Sequence, residues 1–309
     1  MERLKTKLPG MSLDNPIMPA SGTFGFGFDY VDYYDLNILG SIITKAVTGN
    51  QRFGNPTPRI AEVSSGMLNA IGLQNLGAQK SLNEFAKLNE IYHKKVIANV
   101  AGSSIQEYVD VIKQLNHVEN IGAYEINISC PNVKEGGIAF GSRIDLAEEV
   151  TRACKNASTK PVYIKLSPNV TDIVAIAKAV EKAGADAISL INTVVGMKID
   201  VKTRKPVLSN LVGGLSGPAI KPIAIRMVYQ VYQAVKIPII GMGGIQDAKD
   251  VLEFLLAGAS AVCVGTANLI DPKRCHTIIN DLEKTLDEYG FETIASCIGA
   301  AHEKRNHSM

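Results

Sequence analysis

The residues best suited to chemistry lie in one short motif, Asn127-Ile-Ser-Cys-Pro-Asn132, which places a cysteine between two amides. The preceding residues, 121–128, alternate apolar with smaller or polar side chains and predict a strand that ends at this motif. In parallel α/β proteins, catalytic groups collect just beyond the carboxyl ends of strands. Cys130 is therefore a candidate reactive thiol, and the alternative that the motif leaves open is a buried, inert thiol.

Further amides and two lysines follow other β-rich stretches of the chain. The candidate residues at these strand ends are Lys45, Asn69, Asn99, Asn127, Cys130, Lys165, Asn192 and Thr193. Each amide offers a donor and an acceptor, which suits a pyrimidine or a flavin ring. Two lysines at one level repel each other unless an anion or an electron-rich ring lies between them. The alternatives are turn-forming asparagines and lysines that reach out to water. No His or carboxylate cluster accompanies these residues, so no metal site is expected.

Three glycine-rich stretches predict a phosphate site. Gly241-Met-Gly-Gly244 and Gly265-Thr266 follow the last two predicted strands, and Gly213-Gly-Leu-Ser-Gly217 precedes a predicted helix start. Glycines let backbone N–H groups approach a phosphate closely, and barrels often bind phosphate after strands seven and eight. Glycines needed only for tight turns are the alternative.

The elements that must position these residues alternate along the chain. Eight β-rich runs are predicted at residues 41–45, 66–70, 96–100, 124–128, 162–165, 187–191, 237–241 and 261–264. Helical periodicity is predicted at residues 79–92, 105–115, 146–154, 172–183, 219–235 and 247–256, whereas residues 46–65 are predicted to form a loop. This alternation indicates an α/β fold of the (β/α)8 TIM barrel type. The alternative, a doubly wound open sheet, lacks a G-x-G-x-x-G run after its first strand.

Two segments depart from the alternation. Residues 9–19 predict a small N-terminal hairpin or a cover over one end of the barrel. Residues 192–217, after the sixth predicted strand, are too long for an ordinary βα loop, and we interpret them as a lid. The β-like pieces 197–201 and 205–209 could instead form a hairpin that only extends the surface.

Composition narrows the class of protein. The chain has 309 residues, 46% hydrophobic and 20% charged, with a net charge of +2 and no basic stripe, which argues against nucleic acid and anionic membranes as partners. Its five cysteines form no C-x-x-C pair, so neither a disulfide framework nor an iron–sulfur site is expected. Without an apolar signal segment, a cytoplasmic location is expected.

Across nearly its whole length the chain resembles the dihydroorotate dehydrogenases, and most closely their class 1B catalytic subunits. The motifs that carry the resemblance are Pro19-Ala-Ser-Gly22, Thr44-Lys45, Asn69-Ala-Ile-Gly-Leu-Gln-Asn75, Asn127-Ile-Ser-Cys-Pro-Asn132, Lys165-Leu-Ser-Pro168, Asn192-Thr193, Gly213-Gly-Leu-Ser-Gly-Pro-Ala219 and Gly241-Met-Gly-Gly244. One departure is Leu76, where relatives are expected to carry proline.

The resemblance implies one barrel domain, residues 1–309, that binds FMN and oxidises dihydroorotate to orotate in pyrimidine synthesis. The residues that it implies for FMN are Ser21, Lys45, Ala46, Asn99, Asn127, Lys165, Ile191, Gly217, Gly243, Gly244, Gly265 and Thr266. Those that it implies for the substrate are Lys45, Asn69, Ala70, Ile71, Gly72, Leu73, Asn127, Asn132, Asn192 and Thr193. Cys130 would act as the base, and Lys165 would stabilise negative charge on the reduced flavin.

The resemblance also implies a partner. Class 1B catalytic subunits pair with a subunit that carries FAD and a [2Fe–2S] cluster, so we expect a homodimer of this chain within a heterotetramer that passes electrons to NAD. Two alternatives use other electron acceptors or substrates: a class 1A-like, fumarate-linked enzyme, and another FMN-dependent dihydropyrimidine oxidoreductase. A third is a phosphate-binding barrel without redox chemistry.

Overall fold

The computed structural model describes residues 2–129 and 137–302. Its strands are β1 (Thr6–Leu8), β2 (Met11–Leu13), β3 (Ile17–Pro19), β4 (Ile60–Val63), β5 (Gly66–Asn69), β6 (Val96–Val100), β7 (Ile121–Asn127), β8 (Val162–Lys165), β9 (Ala187–Leu190), β10 (Val194–Gly196), β11 (Ile199–Asp200), β12 (Lys205–Pro206), β13 (Gly213–Ser216), β14 (Ile239–Met242) and β15 (Ala261–Val264). The α-helices are α1 (Ser21–Phe24), α2 (Ala78–Ile91), α3 (Ile105–Leu115), α4 (Gly137–Ser142), α5 (Ile144–Ala157), α6 (Ile173–Lys182), α7 (Lys221–Tyr232), α8 (Ala248–Leu256), α9 (Thr266–Ile270), α10 (Arg274–Glu288) and α11 (Ile294–Cys297).

Seven parallel strands form one curved sheet in the order β3-β15-β14-β9-β8-β7-β6. Residues 40–47 close it between the two edge strands. The N–H of Gly40 donates to the carbonyl of Ile17 in β3 at 3.0 Å, and the N–H of Thr44 donates to the carbonyl of Ile97 in β6 at 3.0 Å. The fold is thus a (β/α)8 barrel, as the sequence predicts.

The hydrophobic core has two parts, inside and outside the barrel wall. Outside the wall, the helices bury apolar faces against the outward side chains of the strands. Inside it, inward-facing residues such as Ile97, Ala123 and Tyr163 pack with Leu8 and Met11 of the β1–β2 hairpin. A small N-terminal hairpin is therefore present, at residues 6–13 and not across the predicted 9–19. It plugs the amino end of the barrel, where the hydroxyl of Tyr163 donates to the carbonyl of Pro9 at 2.5 Å.

Two of the predicted barrel strands need correction. Residues 66–70 were predicted as the second barrel strand, but β5 pairs antiparallel with β4 and β13 in a separate four-stranded sheet, β10-β13-β5-β4. The first barrel strand is β3, within the stretch predicted as a hairpin or cover. Residues 41–45 do lie in the wall, but through isolated bridges such as Ile43 with Ile97. Residues 46–65, predicted to be a loop, include β4.

The long insertion, residues 192–217, is a β-rich extension. It contains β10 and β13, which join the separate sheet, and the small antiparallel pair β11–β12, which matches the hairpin that the sequence allowed. Lys198 Nζ donates to the carbonyl of Glu62 at 2.7 Å, so the insertion is also fastened to β4. Its two ends lie at the barrel rim, and its tip, with Val201 88% exposed, lies in solvent.

The predicted helices are all present, α3 with the predicted bounds and the others with shifted ends. Side chains cap several of them: Ser104 accepts from the N–H of Glu107 at the start of α3, and Asp172 accepts from two N–H groups at the start of α6. Helix α10, which follows the last barrel strand and packs against β3, has no counterpart among the predicted helices. In the part of the chain that the structure describes, no helix combines the length and the apolar composition that a membrane span requires.

Candidate active site

A cavity of about 330 Å³ opens at the carboxyl end of the barrel, opposite the hairpin plug. Residues from most of the barrel strands and from the separate sheet line it. The predicted site residues among them are Ser21, Lys45, Ala46, Asn69, Ile71, Gly72, Leu73, Asn127, Lys165, Ile191, Asn192, Thr193, Gly217, Gly243, Gly244, Gly265 and Thr266. The fold therefore brings nearly all of the predicted residues to one place.

Four predicted residues are not in this lining. Asn99 and Ala70 are fully buried, at 0% exposure, and are not among the lining residues. Cys130 and Asn132 lie outside the described residues. Asn127, the last residue of β7, does line the cavity, and the predicted roles of Cys130 and Asn132 stay predictions.

Lys165 is the most buried cation at the cavity, with 6% exposure at the end of β8. Its ammonium lies 3.4 Å from the hydroxyl of Ser21, which follows β3 across the barrel. It also lies 3.7 Å from Oε1 of Glu125, which is 0% exposed. A buried charge needs such partners because desolvation is costly. Lys165 is therefore held in place and partly neutralised by the chain itself.

Glu125 in turn is held by two neighbouring side chains. The amide nitrogen of Asn99 in β6 donates to Oε1 at 2.5 Å, and the hydroxyl of Ser189 in β9 donates to Oε2 at 2.7 Å. Oδ1 of Asn99 has no hydrogen-bond partner among the residues that the structure describes. One polar layer thus joins β6, β7, β8 and β9 directly below the cavity.

Asn127 and Asn192 are linked through Ser129, next to the candidate base. Oδ1 of Asn127 accepts from the hydroxyl of Ser129 at 2.8 Å, and Nδ2 of Asn192 donates to the same hydroxyl at 2.6 Å. The carbonyl of Asn127 accepts from the buried hydroxyl of Tyr108 at 2.9 Å. These bonds fix two amides and the residue that directly precedes Cys130.

The separate sheet carries the other wall of the cavity. Asn69 ends β5, and its amide donates to the carbonyl of Gly214 in β13 at 3.2 Å. Thr193 packs against Gly214 so closely that glycine is required there, since a Cβ on Gly214 would lie 2.6 Å from Cβ of Thr193. Asn69 is thus at the rim, although it does not end a barrel strand as predicted.

The predicted phosphate region is built from backbone. Gly217, Gly243 and Gly244 have φ values of 100°, 127° and 81°, which favour glycine. A Cβ on Gly244 would lie 2.9 Å from the carbonyl oxygen of Gly217, so the two loops touch. Beside them, the hydroxyl of Thr266 donates to that of Ser216 at 2.8 Å. The three glycine-rich stretches therefore meet along one side of the cavity.

Two residues at this site were not predicted from the sequence. Glu125 could have been found as a lone charge inside the strand Tyr124-Glu-Ile126, since inward-facing charges are rare in such runs. Cys263 lines the cavity from β15, and burial, followed by the nearby Glu125 carboxylate, raises the pKa of its thiol. Among the described residues, no three His, Cys, Asp or Glu side chains group as metal ligands would.

Comparison with known proteins agrees with this geometry. A family model described as dihydroorotate dehydrogenase matches residues 3–286. The chain is 60% identical over 309 residues to a protein of Geobacillus kaustophilus, an alignment that covers 100% of this chain and 99% of that protein. It is 62% identical over 299 residues to a protein of Anoxybacillus flavithermus, covering 97% and 96% of the two chains. Both are named dihydroorotate dehydrogenase B (NAD(+)), catalytic subunit.

The resemblance inferred from the motifs is thereby confirmed. The matched region includes every barrel strand and each residue that lines the cavity. The chain belongs to the dihydroorotate dehydrogenase family.

Proposed function

We propose that this chain is the catalytic subunit of an NAD-linked dihydroorotate dehydrogenase, which oxidises dihydroorotate to orotate in pyrimidine synthesis. The observation that carries the proposal is the cavity that gathers Lys45, Asn69, Asn127, Asn192 and Thr193 at the barrel rim. Amides and a lysine suit an anionic pyrimidine ring, because they pair with its N–H, C=O and carboxylate groups. The names of relatives about 60% identical to this chain support the same activity.

The residues of the cavity fit a flavin, and we propose FMN as the cofactor. The glycine-rich side of the cavity suits the phosphate, since Gly217, Gly243 and Gly244 keep side chains out of the way. Lys165 and Ser21 offer donors at the opposite, buried side. The unpartnered oxygen of Asn99 supports the fit, because a buried acceptor calls for a donor such as a ring N–H.

The reaction removes a proton from C5 of dihydroorotate and a hydride from C6, which leaves the double bond of orotate. We propose that Cys130 takes the proton, while Asn69, Asn127 and Asn192 orient the ring. Amides suit this task because they do not compete for the proton. FMN, when bound, supplies the acceptor for the hydride. The Lys165 ammonium favours negative charge in the cavity and so favours reduction.

The words "catalytic subunit" in the relatives' names support a second subunit. We propose that this partner carries FAD and a [2Fe–2S] cluster and that two copies of this chain form the centre of a heterotetramer. Such a partner would carry electrons from the cavity to NAD.

The test is a single-turnover experiment on the purified chain loaded with FMN, without oxygen. Addition of dihydroorotate should abolish the absorbance of oxidised flavin and form about one orotate per flavin. Succinate, an anion without the ring, serves as the control and should leave the spectrum unchanged. Bound FMN that stays oxidised in excess dihydroorotate would refute the proposed function.

A further inference from the structure

A buried carboxylate lies directly below the candidate active site, and the proposed reaction does not use it. Glu125 is on β7, two residues before Asn127, and its side chain is 0% exposed. It faces the ammonium of Lys165 at 3.7 Å and accepts hydrogen bonds from Asn99 and Ser189. Burying a carboxylate has a high desolvation cost, so we asked what Glu125 contributes inside the barrel.

The neighbours of Glu125 indicate this contribution. Lys165 lines the cavity, and Oδ1 of Asn99 is one of the buried oxygens that lack a hydrogen-bond partner among the described residues. A carboxylate accepts but does not donate hydrogen bonds, so Glu125 turns the amide nitrogen of Asn99 toward itself and leaves the oxygen for another donor. Glu125 thus leaves the oxygen of Asn99, and not its nitrogen, available to a ligand. It also fixes the position of the Lys165 ammonium.

The charge of Glu125 has a second effect. Lys165 is only 6% exposed, so water screens its field weakly, and a carboxylate 3.7 Å away cancels much of that field. A bound group that gains negative charge on reduction is stabilised by the ammonium and destabilised by the carboxylate. The pair therefore sets a lower reduction potential than Lys165 alone would.

We propose that Glu125 is a positioning residue for the redox centre: it fixes Lys165 and Asn99 and lowers the reduction potential of the bound flavin. The proposal rests on the proposed function, because it takes FMN as the occupant of the cavity. Glu125 acts through its two neighbours and through its own charge, and not by contact with substrate.

The experiment compares Glu125→Gln, which removes the charge but nearly keeps the shape, with wild type and with Glu107→Gln as a matched control. Glu107 pairs with Arg52 at 3.1 Å, outside the cavity lining. The midpoint potential of bound FMN is measured by spectroelectrochemistry without dihydroorotate. Glu125→Gln should favour reduced flavin about tenfold or more, a rise of about 30 mV for a two-electron couple, whereas Glu107→Gln should not.

A second variant separates position from charge. Glu125→Asp keeps the charge but withdraws it from Lys165 and Asn99, so FMN affinity should fall several-fold while the potential stays closer to wild type than in Glu125→Gln. If Glu125→Gln does not fold, Glu125→Asp becomes the test of the proposal. Unchanged FMN affinity in Glu125→Asp contradicts the proposal. Thermal unfolding of the FMN-free proteins shows how much of any effect is structural.

The outcomes distinguish the two proposals. An unchanged potential in folded, FMN-loaded Glu125→Gln overturns the role of Glu125, even if the wild type oxidises dihydroorotate. A raised potential in that variant supports the role of Glu125, even if dihydroorotate is not a substrate. A wild-type chain that binds no FMN contradicts both.

Discussion

The side chains around Lys165 position its buried ammonium close to the rim of the barrel. Its ammonium has Ser21 at 3.4 Å and Glu125 at 3.7 Å, each from a different strand or strand end. Two lysines at the same height in the barrel repel each other unless an anion or an electron-rich ring lies between them. For Lys165, the chain itself supplies an anionic partner, Glu125. The position of Lys165 was predictable from its strand. Glu125 stands out in the sequence as a lone acid in a strand, but its pairing with Lys165 was not predictable, because such an acid does not reveal its partner.

The role of Cys130 is tested by substitution. Cys130→Ala should retain FMN but lose turnover by about 10²- to 10⁴-fold, the usual effect of removing a general base. The measurement is anaerobic reduction of bound flavin by dihydroorotate at neutral pH. Cys154→Ala, which changes a thiol buried away from the cavity, is the matched control and should keep its rate constant. Near-normal flavin reduction by Cys130→Ala would assign the base elsewhere.

The other cysteines allow a test by chemical labelling. Burial raises the pKa of the Cys154 and Cys275 thiols to about 12 and that of Cys297 to about 11, and it also raises the pKa of Cys263. A raised pKa means less thiolate at about pH 8, and the thiolate is the reactive form. Iodoacetamide should therefore label Cys130 first in the folded protein.

Mass spectrometry of the labelled protein identifies the modified cysteine. Orotate should slow the modification of Cys130. The Cys130→Ala variant should take up label far more slowly than wild type. Labelling of Cys263 or Cys297 before Cys130 would show that the thiol at position 130 is not the reactive one.

At the level of elements, the sequence predicted the type of most segments but not their partners. The β propensity of residues 66–70 is real, since β5 is a strand, yet its neighbours are β4 and β13 in antiparallel pairing. Strand β3 spans only three residues and ends in Pro19, so it gives a weak pattern. Its place in the barrel depends on pairing with β15, more than two hundred residues away, which local periodicity does not encode.

The pairing of β10 with β13 gives a prediction for one glycine. Gly214→Ala would place a methyl group 2.6 Å from Cβ of Thr193, so Thr193 or β13 must move. Such overpacking costs about 1–3 kcal/mol. Because Thr193 lines the cavity, KM for dihydroorotate should rise as Tm falls.

Gly49→Ala is the control for this change, since its added methyl group would meet only the flexible side chain of Glu107, at 3.4 Å. Thermal unfolding and steady-state kinetics of both variants are the measurements. A Gly214→Ala protein with the Tm and KM of wild type would show that the contact relaxes without consequence.

The insertion of residues 192–217 gives another prediction at this scale. Its ends carry Asn192, Thr193 and Gly217 to the cavity, whereas residues 201–206 are exposed at its tip. If substrate orders the ends, the tip should become less mobile as well. Trypsin should cut after Lys202 or Arg204 in the free enzyme and more slowly with orotate. A variant with Lys202 and Arg204 both changed to Gln should lose this cleavage, which confirms the position of the cut. Equal cleavage rates with and without orotate would show that the insertion is a passive extension.

At the level of the whole molecule, one end of the barrel is closed and the other carries the candidate active site. The β1–β2 hairpin seals the amino end with apolar side chains, while the carboxyl end holds the cavity and its polar layer. Composition and periodicity predicted this overall architecture, because alternating β and α segments leave few other arrangements. They did not predict the separate sheet, since it joins segments about 150 residues apart in sequence, a separation that gives no local pattern.

Electron transfer beyond the cavity gives the last prediction. The described part of the chain has one cavity of suitable chemistry, and the sequence has no cysteine spacing for an iron–sulfur cluster and no dinucleotide fingerprint. The isolated chain should therefore pass electrons from dihydroorotate to an artificial dye but not to NAD. Adding the purified partner subunit should restore NAD reduction, because that subunit would supply the FAD and the cluster.

The measurement is NADH formation at fixed dihydroorotate, with the dye assay on the same sample as the control for an active chain. Cys130→Ala mixed with the partner should stay inactive in both assays, which separates the oxidation step from electron relay. Rapid NAD reduction by the chain alone would overturn the need for a partner. Efficient fumarate reduction by the chain alone would instead make fumarate the acceptor, since a small diffusible acceptor can reach the reduced flavin through the open cavity without a relay.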